Sequence, residues 1–222
     1  MRQPDEGPLA LGADRARRTL FSREELAELG RSLGTHRVEA GAPLLRQSEP
    51  VDHIGMIISG EVALIHQRRT RRVVLQVLRE GDVFGDVSLL CGLPMAFSAR
   101  ALTDTAVVEL PHEVFWQLLE QRRDICRRLL FSMASRMERL QRRLLAVTSG
   151  DLLHQVGTLL LDEVGDEPGH VALSQSMIAE LLGSTRPSVN RVLHELSERG
   201  HVRLSYRRIE VVDPASLLTS LT

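Results

Sequence analysis

Hydrophobic and polar positions along the chain follow three rhythms. Residues 1–20 show no period, and their proline, glycine and scattered arginines predict a mobile tail. Ser22 followed by Glu25 has the spacing of a capping box, opening a predicted helix through Leu26 and Leu29 to about Leu33, with Gly34 as its stop. From Val38 to Leu110 the apolar residues come in short runs at 54–58, 62–65, 73–78, 83–84 and 106–110. Gly41, Gly60, Gly81, Gly85 and Gly92 punctuate them, the rhythm of an antiparallel barrel or jelly roll.

Beyond that point the period is helical. Pro111 starts a predicted helix carrying Val114, Phe115, Leu118 and Leu119, and a longer one runs from about Arg122 to Val147. On the longer helix Cys126, Leu130, Met133, Met137, Leu140, Leu144 and Val147 are spaced 4, 3, 4, 3, 4, 3, a heptad seam with arginines on the other faces. A seam this regular fits a second copy of the chain, with packing against the chain's own barrel as the alternative. Cys126 would then face its symmetry mate, most simply as a small buried hydrophobe. Gly150 and Asp151 break the helix, another follows over 152–164, and the acidic stretch 162–169 reads as a loop before a compact all-helical segment with a terminal hairpin.

Residues 173–212 carry the clearest local chemistry. Ser174 is placed to cap a short helix with Ile178, Leu181 and Leu182 on its apolar face, and Gly183 falls at a sharp turn. Thr185 can cap the next helix, Pro187 falls in its first turn, and Val189, Val192, Leu193 and Leu196 form its inner side. Arg186, Ser188, Asn190, Arg191 and His194 are left to face outward or flank the core. Two short helices joined by a glycine turn, the second presenting Arg and Asn near its start, predict a helix-turn-helix. Strands at 202–204 and 209–212, joined through 205–208, predict its wing. A purely structural helical hairpin would need neither the polar face nor the basic tip.

Composition narrows the class. With 43% hydrophobic and 26% charged residues the chain can bury a core, which excludes a disordered protein. No apolar run approaches the ~18 residues of a membrane helix and the start lacks a secretion signal, so a cytoplasmic location is expected. Two cysteines, Cys91 and Cys126, are too few for a disulfide framework, a four-thiolate cluster or a structural zinc site. All 28 basic residues are arginine, which reads as codon bias of a GC-rich genome. The net charge of −1 conceals arginine clusters at 68–72, 122–143 and 186–208, and one basic face is enough for nucleic acid. The run at 68–72 reads as a charged hairpin tip. His53, His66, His112 and His154 are isolated, so no metal site is expected. No nucleophile–base or paired-carboxylate constellation points to an enzyme, and no catalytic residue is assigned.

Over roughly residues 22–215 the sequence resembles the Crp/Fnr family of bacterial transcription regulators, particularly its actinobacterial members. The most specific pieces are Leu78-Arg79-Glu80-Gly81-Asp82-Val83-Phe84-Gly85-Asp86, similar to the family's L-x-x-G-D-x-F-G-E turn, and the second helix of the pair, 184–196. The resemblance implies an α+β chain: an N-terminal antiparallel β-roll (jelly roll), a long dimerisation helix and a C-terminal winged helix-turn-helix. The expected divisions are a tail over 1–20, a cyclic-nucleotide-binding-like sensor domain over 21–121, the dimerisation helix over 122–149 and the DNA-binding domain over 150–222. The implied partners are double-stranded DNA, a second copy of the chain and RNA polymerase, with no membrane.

Residue by residue, Arg186 and Arg191 match the two family arginines that reach guanine, whose N7 and O6 a guanidinium can bond together. Ser188 and Asn190 share that face, and Asn suits adenine. The family commonly has an acid that reads cytosine where this chain has Pro187, so that readout is lost. Ser174, Gln175, Thr185 and Arg207 match phosphate contacts, which position without specifying sequence. The family's effector pocket uses a Gly-Glu pair for ribose and Arg-Ser/Thr-Ala for the cyclic phosphate. Here these are Gly85-Asp86 and Phe97-Ser98-Ala99, with phenylalanine where the arginine belongs; without a gap Ala96 takes that place. A buried phosphodiester would lack its counter-charge, so no cofactor is expected and cyclic AMP should bind weakly or not at all in the usual pose. Arg100, three residues beyond Phe97, should point to the opposite face of its strand. Three functions stay open: an effector-gated dimeric transcription factor, a constitutive architectural DNA-binding protein with a vestigial sensor, and a cyclic-nucleotide-binding module acting on protein partners.

Overall fold

The structure, a computed structural model, describes residues 19–68, 71–148, 151–165, 167–206 and 208–221, without the side chains at 68, 71 and 72. Most of the predicted tail, the tip at 69–70 and Arg207 lie outside the described residues. The chain divides into two compact units, one ending at Arg136 and one starting at Met137.

The first unit opens with helix α1 (Arg23–Leu33), held by the complete Ser22–Glu25 capping box and closed at Gly34, whose φ is 87°. Leu20, expected at the end of the tail, is instead core: it is 1% exposed, because an apolar pair with Phe21 finds a buried site beside α1. Two four-stranded antiparallel sheets follow. One has the order β1 (His36–Val38), β8 (Thr105–Pro111), β3 (His53–Ser59), β6 (Val83–Phe84). The other has the order β2 (Pro43–Leu45), β7 (Ser98–Ala101), β4 (Val62–Arg68), β5 (Arg71–Leu78).

The first sheet is buried on both faces, which explains the unbroken apolar reading of β3. Ile57 and Val107 turn inward to pack with Leu64, Leu78 and Phe84, filling the roll. Ile54, Met56, Val108 and Leu110 pack a second core with α1, helix α3 (His112–Gln121) and the start of helix α4 (Arg123–Thr148). Gly55 pairs with Phe84 across β3 and β6, and a Cβ on Gly55 would lie 1.9 Å from the Phe84 ring. Between β6 and β7 the chain forms a short helix, α2 (Asp86–Cys91), that sequence periodicity did not predict.

The second unit holds the rest of α4, helix α5 (Leu152–Val164), strand β9 (Gly169–Val171), helices α6 (Gln175–Leu181) and α7 (Arg186–Glu198), strands β10 (Val202–Ser205) and β11 (Arg208–Val211), and helix α8 (Pro214–Ser220). The segment before the hairpin is therefore not all helical. β9 pairs with β11 and makes the wing a three-stranded sheet, Val171 opposite Ile209. No helix among the described residues is long and apolar enough to cross a membrane.

One ion-pair network ties α1 to the first turns of α4. Glu25 takes the Ser22 N–H at 2.8 Å, both terminal nitrogens of Arg128 at 2.7 and 2.9 Å, and Arg122 at 2.9 Å. Hydrogen bonding from Arg128, opposed by partial burial, pulls the Glu25 carboxyl from 4.5 down to about 2. A depressed carboxyl stabilises the fold above its unfolded pKa and loses that contribution as pH falls through the folded value. Stability should therefore drop by about 1–2 kcal/mol between pH 4.5 and 2 after allowance for screening, and Glu25→Gln should remove that part of the slope. Urea midpoints measured across that range check it.

Candidate nucleic-acid interface and sensor turn

The local chemistry of the second unit aligns three elements. Ser174 caps α6 by accepting from the Met177 N–H at 3.2 Å. Gly183 turns the chain with φ at 60°, a conformation glycine takes at little cost. Thr185 caps α7 by accepting from the Ser188 N–H at 3.3 Å, and the two hydroxyls lie 2.9 Å apart. Val189, Val192, Leu193 and Leu196 are buried, anchoring α7 from beneath. The opposite side presents Arg186, Arg191 and His194 exposed, with Ser188 and Asn190 half-buried beside them. Among the described residues neither Arg186 nor Arg191 forms an ion pair, whereas Arg199 is held by Glu195 and Arg203 by Glu210 at 2.9 Å.

A groove of about 630 Å³ joins these elements, lined among others by Ser174, Gln175, Arg186, Tyr206 and Arg208. Tyr206 stands at the wing tip with 89% of its surface exposed. Arg208 donates its Nε–H to His170 Nδ1 at 3.0 Å. The arrangement offers guanidinium donors on the exposed face of a helix and hydroxyl and amide groups at its flank, suited to a polyanion with readable edges.

In the first unit the turn after β6 is sharply specified. Gly85 adopts φ 85° as the N-cap of α2, and a Cβ there would lie 3.1 Å from both the His53 carbonyl and Leu45. It launches Asp86, whose side chain is 3% exposed and meets both terminal nitrogens of Arg136 on α4, one contact being Nη1 to Oδ1 at 3.3 Å. Phe97 is half-buried against the apolar interior of the roll, next to Ala99, which is fully buried. Ser98 accepts from the Gln47 N–H at 3.0 Å. Arg100 points away from that interior and donates to the Gly41 carbonyl.

Comparison with known proteins fits both halves. Residues 35–122 match the cyclic nucleotide-binding domain and residues 138–219 the Crp-like helix-turn-helix domain. The chain is 33% identical to the HTH-type transcriptional regulator Cmr of Mycobacterium tuberculosis over 88% of its length and 79% of that protein. It belongs to the Crp/Fnr family of transcription regulators. A CRP-like cAMP-activated global transcriptional regulator of M. tuberculosis is 27% identical over 86% of this chain and 90% of its own. A CRP/FNR-family transcriptional regulator from Thermus thermophilus has the same fold, with a TM-score of 0.63 at 24% identity over 84% of this chain and 97% of that one.

In this Crp/Fnr chain the residues expected at DNA, Arg186, Ser188, Asn190 and Arg191, share one helix, and Ser174, Gln175 and Thr185 border it. Thr185 and Ser188 are also committed to the cap. Arg207 lies outside the described residues. Of the seam, Leu130, Met137, Leu140, Leu144 and Val147 are each more than half exposed, Cys126 is half-buried, and Met133 packs partly on the core of the first unit. Arg136, the partner of Asp86, lies outside the seam and is not apparent from its spacing. Its signal would have been the series Ile125, Leu129, Ser132, Arg136, which repeats the seam spacing one residue earlier and is the buried side of α4.

Arg136→Ala would strand the Asp86 carboxylate with no counter-charge, a loss of about 3–5 kcal/mol. The double variant Asp86→Asn with Arg136→Met should recover much of it. Chemical denaturation of the two variants measures the difference.

Proposed function

We propose that this Crp/Fnr regulator acts as a homodimer that reads an inverted-repeat operator through the major groove, and that its β-roll does not take cyclic AMP in the family's usual pose. The observation that carries the DNA-reading part is the exposed arginine pair on α7, Arg186 and Arg191, without ion pairs among the described residues and above a fully buried apolar face. Support for the dimer comes from the apolar stripe on α4, where Met137, Leu140 and Leu144 are 59%, 56% and 65% exposed. Side chains of that size repeated on one helix face gain most by packing on a copy of themselves. Support for the altered sensor comes from Phe97, which puts an apolar ring where a phosphodiester would need a cation, while Arg100 on the same strand bonds Gly41. The regulator would work in the cytoplasm and contact RNA polymerase when bound, and no catalytic step is assigned to it.

Two copies related by a two-fold axis present their α7 helices about one helical turn of DNA apart, roughly 10 base pairs. Arg191 forms the guanine contact, and Arg186 and Asn190 flank it. Since Pro187 has no acceptor for cytosine, one position beside the guanine is degenerate.

Placing charge in the stripe tests the dimer: Met137→Asp with Leu140→Asp should give monomers by sedimentation, because two carboxylates would have to be buried without partners. Selection from random DNA, with and without cyclic AMP, tests the reading. Inverted repeats should be recovered, with cyclic AMP changing affinity less than about tenfold, or ~1.4 kcal/mol. Arg191→Ala should cost about 1–3 kcal/mol per half-site and relax preference at one base pair. Non-palindromic sites, or an Arg191→Ala protein with unchanged preferences, would overturn the proposal.

A further inference from the structure

Among the described residues Asp162 is the most deeply buried carboxylate of the second unit, its side chain 1% exposed near the end of α5. The cations that meet its charge come from α4. Arg143 donates its Nε–H to Oδ2 at 3.3 Å, and Arg142 Nη2 lies 2.9 Å from Oδ1 without the alignment of a hydrogen bond. Arg139 adds attraction from one turn earlier, and Glu138 holds Arg142 from the other side at 2.8 Å. Burial pushes the Asp162 carboxyl upward and the arginines hold it down.

The geometry of this clasp is restrictive. If α5 continued the line of α4, the intervening residues would separate Arg142 from Asp162 by about 30 Å. They touch only because α5 folds back along the last turns of α4. The rest of α5 is built into the DNA-binding fold: Val156, Leu159 and Leu160 are buried, and the helix packs on α7, α8 and β9. The same stretch of α4 turns Met137, Leu140 and Leu144 to the outside. A single carboxylate thus lies between the apolar stripe and the element that carries the recognition helix.

We infer that Asp162 is a positioning residue for operator recognition: clasped by Arg142 and Arg143, it fixes the angle between the α4 stripe and α7, and so sets the half-site spacing that the protein reads. Asp162 touches no DNA in this role. Loss of the clasp lets α5 change its angle to α4 without altering the face of α7, so each half-site is read as before while the distance between the two is no longer enforced. The inference rests on the dimeric reading above.

The test uses the full chain and the selected inverted repeat, with one or two base pairs added or removed at its centre, and a DNA carrying a single half-site. The wild type should prefer one spacing. Asp162→Asn, which keeps the shape and removes the charge, should reduce the preference between spacings at least about fivefold. Its affinity for the single half-site should stay within about twofold. Asp162→Asn combined with Arg142→Met and Arg143→Met, which strands no charge, should behave alike and carries the test if Asp162→Asn alone fails to fold. A merely structural role would lower affinity equally on every DNA, and that result overturns the inference, as does folded, dimeric variant protein with wild-type spacing preference. A wild type that sediments as a monomer, or that ignores spacing, overturns the dimeric reading itself and is recognised without any variant.

Discussion

A helix can bury arginine only where a carboxylate comes to meet it, and α4 is organised by that constraint along its whole length. Its buried side runs Ile125, Leu129, Ser132, Arg136 and, further on, Arg143 and Ala146, spaced like the apolar stripe but displaced by one residue. Two arginines on that side each meet an acid: Asp86 from the turn after β6 for Arg136, Asp162 from α5 for Arg143. The first acid is presented by a glycine in the left-handed region and the second by an otherwise apolar helix. Both would be costly groups to bury alone, and a shift of α4 by one residue in either direction would put Met137 or Ser135 in place of Arg136 at Asp86. The charges therefore add to the apolar contacts of Ile125 and Leu129 in fixing the register of the helix.

This also explains what the sequence disclosed about α4 and what it concealed. The outward stripe was legible because all its members are apolar and regularly spaced. The inward register was not, since half of it is Ser and Arg, which a hydrophobic pattern counts as surface. Asp86 is conspicuous in the sequence for its place beside Gly85, yet its partner stands 50 residues away, a separation that no local pattern bridges.

Helices with chemical punctuation were the most legible. The Ser22–Glu25 box and Gly34 bracket α1, and Asp151, Ser174 and Thr185 cap their helices through their own side chains. Most of the elements that escaped lack such marks, α8 being the exception. β1 and β2 are three residues each, too short to show alternation, and β7 is Ser-Ala-Arg-Ala, whose small inward residues carry little hydrophobic signal. β9 follows directly on a glycine- and proline-bearing loop and owes its existence to pairing with β11. α8 begins at Pro214 behind an Asp213 cap that accepts from Ser216, a signal present in the sequence but hidden by the preceding strand. The face of α7 was legible in both halves, since the buried valines and leucines leave only one way for the arginines to point.

The contact between Gly55 and Phe84 ties two positions together as a single unit of descent. The ring occupies the space in which any side chain on residue 55 would begin, and it sits immediately before the Gly85 turn that delivers Asp86 to Arg136. In kindred chains an alanine or larger residue at the first position should be accompanied by a smaller one at the second. Drift at either site is thereby limited to paired steps, and the turn that presents the carboxylate inherits that restraint.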